Sequence, residues 1–116
     1  MIVATPTTAD GQTAAAWGKA HWIGLADVRS GAEGPEVVGW QIHEVAWDES
    51  HDAGTHGSHH ARIVRFLKEN QVQAIVVDHM GEGMQRVVRN MQIPLLPATP
   101  GDAQASVLAA VRAATA

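Results

Sequence analysis

The chain has no cysteine, no tyrosine and one phenylalanine, Phe66, among its 116 residues. Without thiols there is no disulfide to staple the fold and no thiolate to hold an iron–sulfur centre or act as a nucleophile. A transition metal would therefore rest on imidazole, carboxylate or thioether atoms. Charge is sparse as well. Charged residues are 17% of the chain and the formal net charge is −4, which lacks the basic face of a nucleic-acid binder. No apolar run approaches the ~20 residues needed to cross a bilayer. Residues 1–6 lack the basic stretch that opens a signal peptide, so the expected location is the cytoplasm, away from any membrane.

What is present suffices for a packed core. Hydrophobic residues make up 46% of the chain, and a length of this order buries roughly two-thirds of the unfolded surface. No repeat or linker divides it, so a single domain over residues 1–116 is expected. Residues 2–5 are a β-branched apolar run stopped by Pro6 and read as a buried strand. Residues 22–28 and 37–47 read as longer strands, and the turn formers of 29–35 between them predict an antiparallel hairpin. In the second of these strands Val38, Trp40 and Ile42 share the face expected to meet the core, with Val37, Gln41, His43 and Val45 on the other.

The period changes near Ser58. Ile63, Val64 and Leu67 fall at helical spacing, with Ser58 or Thr55 as N-cap and Asn70 at the end. Residues 74–77 predict a short buried strand of the parallel kind. A loop at 78–83 leads into a helix at 84–91 with Met84, Val87, Val88 and Met91 on its apolar stripe. Residues 93–96 predict another strand, interrupted at Pro94, and Asp102 caps an Ala-rich helix to about Ala114. The order βββαβαβα predicts an α/β fold, a mixed β-sheet with helices packed on its faces.

Candidate chemistry gathers in two turns. His51, His56, His59 and His60 fall within ten residues of a Gly-broken stretch. A helix starting near Thr55 would set His56 and His60 one turn apart, a spacing that can chelate one metal ion. Gly54 and Gly57 let the chain bend, and Asp48, Glu49 and Asp52 are near enough in sequence to add an oxygen ligand or orient an imidazole. A solvated loop and helix start would accommodate the same histidines without a metal. The second turn follows the 74–77 strand, where ligands of open α/β sheets collect. There His79 and Met80 offer metal-ligand atoms, while Gly81 and Gly83 let backbone amides approach an anion. A plain strand-to-helix turn accounts for the same residues. Of the four tryptophans, Trp40 is expected in the core, and Trp17 either covers a pocket, stacking on a flat ligand, or packs inside. His21 and His43 lie in strand patterns and read as hydrogen-bonded structural histidines.

Taken together, these segments resemble the dinitrogenase iron–molybdenum cofactor biosynthesis family, the NifX- and NafY-like small carrier domains. Residues 2–7 (IVATPT) are similar to its opening strand, and 17–20 (WGKA) with 22–27 (WIGLAD) to its aromatic-glycine segment. Residues 51–60 fall where the family has a Gly- and His-rich loop, 72–77 (VQAIVV) with Met80 and Gly81 where it has a valine-rich strand and turn, and 92–96 (QIPLL) where it has its closing strand. Ala16 stands where many members have histidine, and Glu82 where they have proline.

The resemblance implies a ribonuclease H-like mixed sheet and a carrier, not an enzyme. The expected cargo is a metal–sulfur cluster like the iron–molybdenum cofactor, or a transition-metal ion. It would be held by His51, His56, His59, His60 and His79, with Trp17, Met80, Gly81 and Gly83 against the cofactor. Expected partners are the metallocofactor and a protein that donates or receives it, the chain being a monomer or homodimer. A two-metal nuclease on such a fold needs clustered carboxylates, and Asp27 with Asp78 cannot supply them. The alternative expectation is a ligand-free interaction or regulatory module that uses the Trp-rich hairpin as its docking surface.

Overall fold

A computed structural model describes residues 1–53 and 56–115, with only the backbone described for 51–53 and 56. The strands are β1 (Ile2–Thr7), β2 (Trp22–Gly31), β3 (Gly34–Glu44), β4 (Ala74–Val77) and β5 (Leu95–Pro97). The helices are α1 (Trp47–Ala53), α2 (His56–Glu69), α3 (Glu82–Asn90) and α4 (Ala103–Thr115). The strands form one mixed sheet in the order β3-β2-β1-β4-β5. β1 to β3 pair antiparallel, while β4 runs parallel to both β1 and β5. No described helix is long and apolar enough to cross a membrane.

Alternation along the central strands sends side chains to two apolar layers. Ala4, Ile23, Leu25, Ile75 and Val77 meet Trp47, Ile63, Leu67, Met84 and Val88 of α1, α2 and α3 on one face. Val3, Ala26, Val28, Ala74 and Val76 meet Val107, Ala110 and Val111 of α4 on the other. Every residue of β4 is buried, as a parallel strand covered on both faces requires. Asp102 caps α4, its Oδ2 accepting the Ala105 N–H at 2.9 Å.

Several boundaries differ from the sequence reading: β2 and β3 extend to Gly31 and from Gly34 into the expected turn, β5 is Leu95–Pro97 where 93–96 was expected, and others differ for local reasons. β1 runs on through Pro6, whose carbonyl accepts the Ala14 N–H beyond the end of the β1–β4 ladder, where the missing donor interrupts no pairing. β3 stops at Glu44, because Ala46 turns the chain with φ 51° and the amides of Val45 and Ala46 both bond to the His21 carbonyl. Trp47 then opens α1, with Asp48 and Glu49 in the first turn, where acidic groups favour a helix. α3 starts at Glu82, two residues before the predicted start.

The inward face of β3 also differs. Asp27 pairs with Gly39 but Val28 pairs with Val37, so Val38 is the extra residue of a β-bulge. Beyond the bulge the alternation slips by one: Val37 and Trp40 pack on the α4 layer, and Val38 is 54% exposed. Val38 is therefore not a core residue. Trp40 is half-buried and lies across Gly24, where a Cβ would collide with its ring.

Both α2 and α3 end in the same six-residue closure. Gln71 and Gln92 adopt φ 55° and 61°, the left-handed conformation. The amides of Val72 and Ile93 then bond back to Leu67 and Val88 at 3.0 Å each, and these apolar pairs are buried together. A residue with a Cβ is strained at such a position, where glycine is not. Gln71→Gly and Gln92→Gly are expected to raise stability to urea by up to about 1 kcal/mol each, after the added freedom of the unfolded chain is discounted.

Candidate functional site

The segment between β1 and β2 crosses the carboxyl ends of the parallel strands and is stitched there by backbone bonds. The His79 amide donates to the Ala15 carbonyl at 3.0 Å, and the Trp17 amide to the His79 carbonyl at 3.1 Å. Ala16 and His79 thus form a parallel bridge beyond the end of β4. Trp17 anchors the crossing. Its ring is fully buried and meets Trp47 edge-on at 5.2 Å, and Trp47 meets Phe66 of α2 the same way at 5.5 Å.

This crossing makes one wall of a pocket of about 510 Å³. Ala16, Trp17, Gly18 and Lys19 form that wall; His59, His60 and Ile63 of α2 form a second; His79, Gly81, Glu82, Gly83 and Met84 close the third. Of the residues singled out in the sequence, the pocket gathers Trp17, His59, His60, His79, Gly81 and Gly83. It does not gather Met80, whose side chain is 5% exposed within the apolar layer under α2 and α3, while its carbonyl accepts the Gln85 side-chain amide at 2.7 Å. Met80 is a packing residue, because the turn aims it inward as the chain enters α3. The side chains of His51 and His56 lie outside the described residues. Ala16 and Glu82, the two departures from the family pattern, both line the pocket.

The donors differ in character. His59 is buried, with Nε2 2.7 Å from the Gly18 carbonyl. A carbonyl only accepts, so Nε2 carries a proton. His60 is half-buried, its ring centroid 6.4 Å from that of His59. Gly83 lies against it: a Cβ there would stand 3.2 Å from His60 Cε1. Gly81 is the N-cap of α3 and supplies no side-chain cap, while open space surrounds its Cα. The residues of the first turn of α3 line the pocket together with Lys19, and a helix start beside a lysine favours an anion. Glu82 is the one carboxylate among the described lining residues.

A second cluster lies outside the pocket. His21 Nδ1 stands 2.8 and 3.0 Å from the two Asp48 oxygens, and Nε2 stands 2.6 Å from Glu44 Oε2. The sequence reading took His21 as a hydrogen-bonded structural histidine and named Asp48 only as a helper of the His-rich loop. Their partnership depends on the β2–β3 register, which sets Trp22 opposite Glu44. No short-range pattern carries that signal. Bonds to Glu44, then to Asp48, hold the His21 pKa above its ordinary 6.5.

The family model described as dinitrogenase iron–molybdenum cofactor matches residues 1–114. The crystal structure of PH0822 is 17% identical, with a TM-score of 0.71 over 94% of this chain and 87% of that one. A candidate dinitrogenase of Methanocaldococcus jannaschii is 18% identical, with a TM-score of 0.52 over 88% of this chain and 79% of that one. At these identities the likeness is one of fold. No curated protein matches the chain.

The His21 cluster predicts a pH dependence with a definite sign. A pKa raised by folding contributes stability in full below the unfolded value, near 6.5, and that contribution fades as pH rises through the folded value. In metal-free buffer, stability to urea is expected to decline from about pH 6.5 upward. Glu44→Gln should flatten the decline, and a profile identical to that of the parent would contradict the assignment.

Proposed function

The chain belongs to the dinitrogenase iron–molybdenum cofactor family, and from that premise we propose that it is a non-enzymatic carrier of a metal–sulfur cofactor or a transition-metal ion. The observation that carries the reading is the pocket shared by His60, His79, Lys19 and the amide-rich start of α3. The donor set suits such a cargo. A cluster with no thiolate available needs imidazole nitrogen, and an anionic cluster needs the positive end of a helix and a lysine beside it. The missing Cβ of Gly83 leaves room against His60 that any other residue would fill. A volume of about 510 Å³ falls in the range of sites that enclose a small molecule.

In this reading His60 and His79 ligate from separate turns, and backbone amides at residues 82–84 receive the anionic face. The Gly18 carbonyl fixes the tautomer and orientation of His59, as carbonyls do for metal-binding imidazoles. His51 and His56 remain proposed ligands from the preceding loop. The described lining holds no paired carboxylates and no nucleophile with a base, which suits transport better than turnover. The alternative, a ligand-free docking module built on the Trp-rich hairpin, has less behind it: Trp17 and Trp47 are committed to the core and Trp40 packs against Gly24.

Calorimetric titration of untagged, metal-free protein tests the proposal with iron–molybdenum cofactor, Zn²⁺, Ni²⁺ and Cu²⁺ as probes. Binding of about one cofactor per chain is expected, weakened at least tenfold in His60→Ala/His79→Ala. A flat trace with all four probes, or unchanged affinity in the double variant, refutes the carrier reading. Gly83→Ala gives a sharper check because two effects have opposite signs. Alanine in the first turn of α3 should raise stability by up to about 1 kcal/mol. Its Cβ, pressed against His60, should weaken cofactor binding several-fold.

A further inference from the structure

We propose that His21, Asp48 and Glu49 form a second metal site, separate from the pocket, which takes one divalent first-row transition cation with Glu44 as a positioning residue. One ligand atom from each of the three lies within 4.8 Å of the others. Atoms bound tetrahedrally to a common zinc at ~2.0–2.2 Å stand roughly 3.3–3.6 Å apart, so the set closes with an inward movement of about an ångström. Glu49 is exposed and can supply that movement.

The environment of the imidazole argues for a cation. Glu44 accepts the Nε2 proton at 2.6 Å and Asp48 the Nδ1 proton at 2.8 Å, so a cation ligated by Nδ1 would displace that second proton to water. A carboxylate on the far nitrogen of a ligating histidine is the arrangement that fixes ring orientation and raises ligand basicity in metal sites. Asp48 on the near nitrogen and Glu49 within 4.8 Å together match the charge of a divalent ion. One nitrogen donor selects against Mg²⁺ and Ca²⁺, which take oxygen shells, and in favour of Zn²⁺ or Ni²⁺.

The scaffold is already set. The His21 carbonyl holds the amides of Val45 and Ala46, the Ala20 carbonyl holds that of Trp47 at 2.9 Å, and Trp47 is buried. The start of β2, the end of β3 and the first turn of α1 are thereby fixed against one another before any ion arrives. The side chain of His21 remains 31% exposed, so a cation can enter and keep water on its open positions. A bound ion would clip α1 to the hairpin and add to stability by linkage.

The test uses the His60→Ala/His79→Ala background, so that failure of the carrier reading and failure of this site are distinguishable. Zn²⁺ is titrated while the ring resonances of His21, assigned by their loss in His21→Gln, are followed by NMR. One equivalent of Zn²⁺ should shift those resonances and raise the melting temperature, and Mg²⁺ in excess should do neither. Asp48→Asn and Glu49→Gln should each weaken Zn²⁺ binding at His21 at least tenfold. Glu49 is exposed, so that variant keeps the fold even if Asp48→Asn loosens α1. Glu44→Gln should weaken binding less than loss of a ligand and change the His21 tautomer signature. Resonances unmoved by Zn²⁺, or an affinity in Asp48→Asn and Glu49→Gln equal to that of the background protein, overturn the proposal.

Discussion

The pocket depends on two backbone hydrogen bonds that join Ala15 and Trp17 to His79. β1 and β4 are parallel neighbours, so their carboxyl ends point the same way and leave unpaired backbone above the sheet. The chain leaving β1 doubles back and satisfies that backbone through Ala15 and Trp17. The bonds alone would be modest, about 1 kcal/mol each in net terms. What holds the crossing is Trp17, whose buried ring joins an edge-on series through Trp47 to Phe66. The same series ties α2 to the crossing, and so the distance between the His59–His60 wall and the Gly18–Lys19 wall rests on a packed core.

That arrangement explains which parts of the protein were legible in the sequence. β4, α2 and α4 were readable because short fully apolar runs and helical stripes have few alternatives. The convergence of His59 and His60 with His79 followed from a rule of topology, since loops at the carboxyl ends of parallel strands open on one side. Met80 misled because a thioether in a turn looks like a ligand, while its direction is set by the entry angle into α3. α1 was hidden by Ala46, a residue with no visible preference for the left-handed conformation it adopts. The Val37 and Val38 positions could not be told apart, because a bulge moves every later side chain and its place depends on the partner strand. Glu44 and Asp48 meet His21 only through a register 23 and 27 residues long.

The pocket and the His21 cluster put their histidines in different environments. The pocket combines imidazoles with helix amides and a lysine, a field that receives negative charge. The His21 cluster surrounds one imidazole with carboxylates, a field that receives positive charge. One residue type thus meets two different electrostatic settings in one fold, His21 in one and His59, His60 and His79 in the other. The absence of cysteine sharpens the contrast, because soft thiolate chemistry is available to neither.

The bulge at Val38 also bears on how copies of the molecule meet. β3 is the outer border of the sheet, and a long straight border offers rungs on which another chain can lengthen it. Here Pro35 removes one rung and the extra residue wrenches the strand out of plane. The border is a poor template for ribbon growth, and crowded solutions of the protein gain from that protection.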